Sequence, residues 1–461
     1  MHFAIERHEK VVVVYVHPDD EEKPWEPGAA SNWWLHHSLQ RFDEQLQSMC
    51  SRLIIRRGRS LKALLDLARE VGAQAVYWNR LYDPALIKRD TLIKSELEAN
   101  GLATKSFAST LLREPWDALK GDGSFYRVYT PFSHQYFKSP SDTPCLAAPD
   151  QVHGPASTLE SVPVGELDLM PSINWYQGFD ENWTPGSAGA TARIERFCSE
   201  AADRYHHDRD LPSLDGVSRL SPHLHFGEVS PKQVWFAIES SVGPVEAGIS
   251  KPFLGQLVWR DFAHHLLFHL PHTPIEPFRD EFNFFPWVRD EALFDAWAKG
   301  STGVPIIDAG MRELWHTGWM HNRVRMLVAS FLTKNGLIHW TEGAKWFWDT
   351  LVDASLANNT MGWQWVAGCG VDAAPYFRIF NPVRQGERFD TKGDYVRKWV
   401  PEIAALPDRY IHEPWNAPPT IQLAAKTLIG KDYPKPVLDL SKTRVAALEK
   451  HKATRAASGG G

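Results

Sequence analysis

Lys10–Val16 reads KVVVVYV, a β-branched run, and three more of its kind follow: SRLIIRR at 51–57, AQAVYWN at 73–79 and LATKSFA at 102–108. Amphipathic stretches of helical period separate them. Strands that alternate with helices pair in parallel, because each helix carries the chain back to the same end of the sheet. Residues 1–130 are therefore expected to form an α/β domain on a parallel, Rossmann-like sheet. From 131 to 192 the pattern dissolves into SPSDTP, AAPD, GPAS and TPGS, which reads as a linker wrapped over the surface of both domains. Beyond it the β signal fades. Helical periodicity runs from ARIERFCSEAADRY at 192–205 to LANNTMGWQWVAG at 356–368, and predicts an all-α domain over 193–435. A tail follows at 436–461, whose Leu438–Lys452 stretch is mildly basic and reads as a solvated helix face.

The composition narrows the function. A hydrophobic fraction of 43% and a charged fraction of 23% are those of an ordinary globular protein. The 4 cysteines, Cys50, Cys145, Cys198 and Cys369, lie too far apart for a CxxC pair, so no disulfide framework is expected and a reducing cytoplasm is the natural home. No apolar run reaches membrane-spanning length, and MHFAIERHEK lacks the layout of a signal peptide. The net charge of -6 argues against coating nucleic acid through the overall field, so any DNA contact needs a local basic patch. The 20 tryptophans supply unusual π surface, although large cores would use many of them.

Generic catalytic signatures are absent or poor. There is no P-loop, and GCGVDA at 368–373 only grazes a glycine-rich fingerprint. His206-His207 and His264-His265 are adjacent pairs that face apart, and His316 and His321 miss the helical step of three or four, so no metal site is expected. DGVSRLSPHLHFG at 215–227 is more informative. Its turn at Asp215-Gly216, with Ser218 and Ser221 at a helix start, makes an anion site suited to a pyrophosphate. Plain capping would explain the same hydroxyls. Ser221-Pro222 and Ser230-Pro231 both read as helix starts, the second with a capping box to Gln233. In LVDASLANNTMGWQWVAGCGVDAAPYFRIFNP, 351–382, a helix would place Ser355, Asn359 and Trp363 on one face and turn Trp365 away. In GWMHNRVRMLVASF, 318–331, Asn322, Arg325 and Met326 share a face and Arg323 points aside. Polar groups in such apolar sequence need partners, and an Arg325–Asp353 ion pair is one.

GWMHNRVRM, LANN followed by WQW, and DAAPYFRIFNP together resemble the photolyase and cryptochrome family, specifically the class I cyclobutane pyrimidine dimer photolyases, from about Tyr205 to Trp415. The resemblance implies an all-α FAD-binding catalytic domain, with the FAD folded into a U beneath a cavity that admits a flipped-out lesion. It assigns the FAD phosphates and ribityl chain to Tyr205, Val217, Ser218, Leu220 and Ser221. It adds Phe253, Arg260 and Ser355 to the cofactor site, and places Asn322, Arg325, Asp353 and Asn359 around the isoalloxazine, Asn359 at the flavin N5. Trp363, Trp340 and Trp287 match a tryptophan chain that carries an electron from the surface to the flavin. Trp259 and Trp365 match the walls of the lesion cavity, with Gln256, Asn322 and Met326 beside them. Arg209, Arg323 and Arg378 match the residues that grip phosphates. Reduced flavin, absorbing near-ultraviolet or blue light, would pass an electron to the dimer, which splits and returns it. A dimer inside a duplex is out of reach and must leave the stack, as targets do for enzymes that work on bases, photolyases among them. The implied partner is UV-damaged DNA, bound by a cytoplasmic, nucleoid-associated monomer, with a folate or deazaflavin antenna as a second chromophore left open.

Four features depart from that pattern. The family opens with a strand ending in a WFRRDLRL-like motif, whereas this chain begins about where the first helix would be, so a central strand is expected to be missing from the sheet. Gln256 stands where dimer photolyases carry glutamate, Ser355 replaces an aspartate and Val217 a threonine. Glutamine at 256 is shared with six-four photolyases, though these carry histidines where Asn322 and Met326 stand. A blue-light sensory cryptochrome is the alternative from another class; plant-type members have aspartate at the Asn359 position.

Overall fold

The computed structural model describes residues 1–138, 145–154, 158–373 and 377–457. SPSDTP, the last three residues of GPAS, Ala374–Tyr376 of the DAAPYFRIFNP motif and the terminal SGGG lie outside them. Four strands, β1 (Val13–His17), β2 (Leu53–Arg57), β3 (Ala75–Asn79) and β4 (Ala103–Phe107), alternate with helices α1 (Ala29–Ser48), α2 (Ser60–Val71) and α3 (Pro84–Ala99). All pairing is parallel, with Tyr15 opposite Ile55 and Tyr77 opposite Lys105. The expected single sheet is instead two separate pairs, β1·β2 and β3·β4, because among the described residues no strand lies between them to bridge their hydrogen bonds. Each pair is covered locally. The Val162 N–H donates to Ile55 O at 3.0 Å along β2, and Phe3 packs edge-on against Tyr77 and Phe107 at 5.1 and 4.9 Å.

The rest of the described chain is helical, and the helices that build the site are α4 (Tyr129–Lys138), α5 (Tyr205–Asp208), α6 (Ser221–His225), α7 (Pro231–Val242), α8 (Lys251–His269), α9 (Pro305–Thr317), α10 (Asn322–Ser330), α11 (Trp340–Thr350), α12 (Leu356–Ala367), α13 (Pro382–Phe389) and α14 (Leu440–Ala457). A π-helical turn, Phe331–Asn335, continues α10. None of them is long and apolar enough to cross a membrane. α12 is the hub, packing on α8, α10 and α11. Its Trp363, 2% exposed, fits a notch made by Gly343 of α11, where a Cβ would fall 2.1 Å from the indole. Burying an indole contributes on the order of 4 kcal/mol, so this notch fixes the α11–α12 crossing.

α1 ties the two halves together. Trp33 and Trp34 are fully buried against Phe179, Trp183 and Trp319, and the Trp34 indole N–H donates to Glu228 at 3.0 Å. At its start Gly28 lies so near Trp348 and Asp349 that a Cβ would meet backbone at 2.4 Å, which only glycine avoids.

Two local expectations separate here. Ser230 and Gln233 form the full capping box on α7. Ser221 makes no capping bond: the residue before it, Leu220, already has helical angles, φ -84 and ψ -4, and a capping side chain needs an extended entry. The tail also departs from the solvated face expected of it. α14 buries Ala447 and Thr454, and Asn335 donates to Thr443 at 2.9 Å.

Candidate functional site

The polar centre lies between α10 and the start of α12. Arg325 donates through Nη2 to Asp353 at 2.9 Å and through Nε to the Met320 carbonyl at 2.7 Å, so the ion pair anticipated from the sequence is made. Asp353 is buried, and its second oxygen, Oδ1, has no hydrogen-bond partner among the described residues. A buried acceptor without a donor is unfavourable by about 1–3 kcal/mol, and a flavin edge supplies donors of the kind it lacks. Asn359, in the first turn of α12, donates one N–H to Ala344 O at 2.9 Å; its amide carries a second. Ser355 does not join Asn359 and Trp363 on a helix face, because α12 begins at Leu356 and leaves Ser355 as the extended residue before it. Its hydroxyl accepts from Asn358 at 3.0 Å. Asn322 is exposed at the first position of α10 and Met326 is half-buried.

Tyr205, Leu220 and Phe253 are buried in one apolar cluster with Val217 and Trp259 at its margin. Tyr205 and Phe253 meet edge to face at 5.3 Å. The loop between them is more cationic than its serines suggest. Asp215 takes Arg196 at 2.7 Å and Arg219 at 3.7 Å, and Arg193 is pulled below its ordinary range by burial and by Arg219. Arg219 itself holds φ +52, between Ser218 and Leu220, a left-handed conformation unusual for arginine. Gly216 permits the turn: a Cβ there would lie 2.6 Å from the Asp208 Cβ. The fit to a pyrophosphate therefore rests on arginines and loop backbone, with Ser218 accepting only a long 3.4 Å bond from Leu220 N–H. Arg260 is half-buried and donates to the Thr110 and Leu224 carbonyls, so in this structure its contacts are to the α/β half and α6.

Trp259, on α8, has one face covered by Tyr129 at 3.5 Å and 5°. Tyr129 is held by Gly255 O at 2.8 Å and by Asp372, which accepts from its N–H at 3.1 Å. One turn before Trp259, Gln256 donates to Pro252 O at 3.2 Å. Trp365 is half-buried and has no aromatic neighbour among the described residues, unlike Trp363, which meets Phe347 at 5.0 Å and Trp297 at 6.2 Å. Trp340 is buried and Trp287 half-buried, with His339 between them at 5.7 and 5.1 Å. Trp340 and Trp363 are both in the core, with separate aromatic neighbours.

The arginines divide. Arg323 and Arg378 line one open groove of about 810 Å³, where Arg323 pairs with Asp210 at 2.7 Å. Arg209 lies outside that lining, over the Tyr205 ring at 5.4 Å. Lys334, on the π-helical turn, donates to the Arg378 carbonyl, and burial lowers it to about 7. Beside Arg323, His321 is 2% exposed and burial pushes it down to about 4, further lowered by Arg219, Arg323 and Arg325 and opposed by Asp210. The sequence offers no signal for Tyr129, Arg193 or Arg219, and His321 is weighed there only as a metal ligand. The last stands inside the GWMHNRVRM motif, and Arg219 inside DGVSRLSPHLHFG.

Residues 253–453 match the model described as the FAD binding domain of DNA photolyase, and residues 1–150 the DNA photolyase model. The chain is 43% identical to the deoxyribodipyrimidine photo-lyase of Agrobacterium fabrum, over 98% of this chain and 94% of that one. It is 36% identical to cryptochrome-1 of Arabidopsis thaliana, over 94% of this chain and 65% of that one. The crystal structure of a class III photolyase from Agrobacterium tumefaciens superposes with a TM-score of 0.94 at 42% identity, covering 99% and 94% of the two chains. The chain belongs to the DNA photolyase and cryptochrome family, and joins an α/β domain with parallel strands to a helical FAD-binding domain. FAD is its cofactor.

Proposed function

We propose that the protein is a photolyase that repairs cyclobutane pyrimidine dimers in UV-damaged DNA, and that its subclass is the class III of its Agrobacterium tumefaciens relative rather than class I. The observation that carries the reading is on α10, where Arg325 turns inward to Asp353 and Arg323, two residues earlier, turns outward to a cationic groove. One helix thus borders both the cofactor site and a surface for DNA phosphates. FAD, bound and reduced, would supply the light-driven electron.

Asp353, Arg325 and Asn359 would hold the isoalloxazine, with the loop of Arg193, Arg219 and Ser218 on the pyrophosphate. Tyr205, Phe253 and Leu220 exclude water from that end of the site. Trp259, stiffened by Tyr129, and Trp365 would wall the cavity for the flipped dimer, each stacking surface worth about 1–3 kcal/mol per base in single-strand binders, which offsets the few kcal/mol of unstacking. Trp363, Trp340 and Trp287 would conduct an electron inward. Gln256 favours a second reading, repair of six-four lesions. Oligonucleotides carrying one dimer or one six-four lesion, incubated with reduced protein in blue light and in the dark, test both. Light-dependent loss of the dimer alone is expected; loss of the six-four product alone would replace the reading, and no repair of either would leave a sensory role.

A further inference from the structure

The groove that holds Arg323 and Arg378 extends onto the C-terminal helix. Arg444, Leu448, His451 and Arg455 line it, at steps of four, three and four, which is one face of α14. Arg279 and Arg388 complete a lining of six arginines, against which the acids among the described lining residues are Asp210 and Glu281. Asp210 is already paired with Arg323. In a chain of net charge -6 so much positive charge on one open surface is the local patch that polyanion binding requires. α14 is seated as a fixed part of this wall: His451 stacks on Phe377 at 4.3 Å and 10°, and Ala447 and Thr454 are buried under it. Arg444 and Arg455 themselves are exposed. They are separated by about 16 Å of helix rise, comparable to about five base-pair steps of duplex axis.

We propose that α14 is a DNA-binding element, in which Arg444 and Arg455, with Arg388 across the groove, hold phosphates of the duplex flanking the lesion. This rests on the DNA-repair reading above. Lesion recognition would then lie with Trp259 and Trp365, while α14 adds affinity without sequence or damage information.

The test compares the double variant Arg444→Ala/Arg455→Ala with Lys442→Ala/Lys452→Ala, which removes equal charge from the same helix outside the groove. Flavin content and melting temperature report that each is folded. Binding to matched duplexes, with and without one dimer, is measured across salt concentrations. The arginine pair should flatten the slope of log K against log salt by about 2 on both duplexes, since each phosphate contact contributes roughly 0.9, and leave the preference for damage unchanged. The lysine pair should leave the wild-type slope. A wild-type slope in the arginine variant, equal flattening by the lysine variant, or loss of damage preference in the arginine variant would each overturn the assignment. Wild-type protein without any damage preference would instead overturn the lesion reading, and the slope on undamaged duplex would still decide the role of α14.

Discussion

The two ion pairs of α10, one toward the cofactor site and one toward the groove, differ in the exposure of their acids more than in chemistry. Each presents an arginine to an aspartate, at 2.9 Å for Arg325–Asp353 and 2.7 Å for Arg323–Asp210, but the Asp353 side chain is 5% exposed and that of Asp210 37%. Both arginines are half-buried, at 19% for Arg323 and 23% for Arg325, so the difference lies in the acids. A pair whose acid faces solvent contributes about 0–1 kcal/mol, so a phosphate can take the place of Asp210 with little loss. Removing one partner of a buried pair is unfavourable by about 3–5 kcal/mol, so the inner pair is fixed in place. Similar distances thus describe a permanent scaffold on one side and an exchangeable contact on the other.

The strongest way to break this contrast is Asp353→Ala. It strands Arg325 beside the cofactor site, and should lower stability by about 3–5 kcal/mol and deplete bound flavin, read by denaturant unfolding and by flavin absorbance per chain. Normal flavin content and stability would mean the inner pair is as dispensable as the outer one.

His321 sits between the two pairs and gives the contrast a pH axis. Its folded pKa is lowered to about 4 by burial, so the unfolded state takes up the proton first. Its contribution is full above about 6.5 and is lost as pH falls toward 4, by roughly 3 kcal/mol in total. His321→Gln should flatten the stability profile in that window by one proton, measured by denaturant titration between pH 4 and 7; an unchanged slope would place the proton uptake elsewhere.

A smaller effect belongs to Trp365→Ala, which should weaken binding of dimer-containing DNA by about 1–3 kcal/mol and spare undamaged duplex. Smaller still is Arg323→Ala, which should weaken both duplexes and reduce the salt slope by about 0.9, with stability changed by less than about 1 kcal/mol. Equal losses for Trp365→Ala on both duplexes would make that tryptophan core packing.

The strands, the Ser230 cap, the Arg325–Asp353 pair and the divergence of Trp363 from Trp365 were legible in the sequence, because each follows from spacing along one element or from residue chemistry. What stayed hidden depends on long-range placement. Tyr129 stacks on a ring 130 positions later, and no period encodes that. Arg219 adopts a positive φ that its residue type disfavours, so it reads as an ordinary loop residue beside Ser218. Ser221 has the right type for a cap but not the extended entry. The tail looks solvated because most of its basic residues are indeed exposed; the adjoining stripe, with Ala447 and Thr454, is too weakly apolar to announce its burial.

The central claim is that the outer groove delivers a lesion to the inner site across α10. The most direct measurement is the flavin absorption spectrum of the oxidised protein during titration with dimer-containing DNA and with matched undamaged DNA, both at saturation. A dimer seated between Trp259 and Trp365 would change the polarity and hydration beside the isoalloxazine, so the spectrum should shift with damaged DNA and stay unmoved with undamaged DNA. Tight binding of the damaged duplex with no change in the flavin bands would contradict the account.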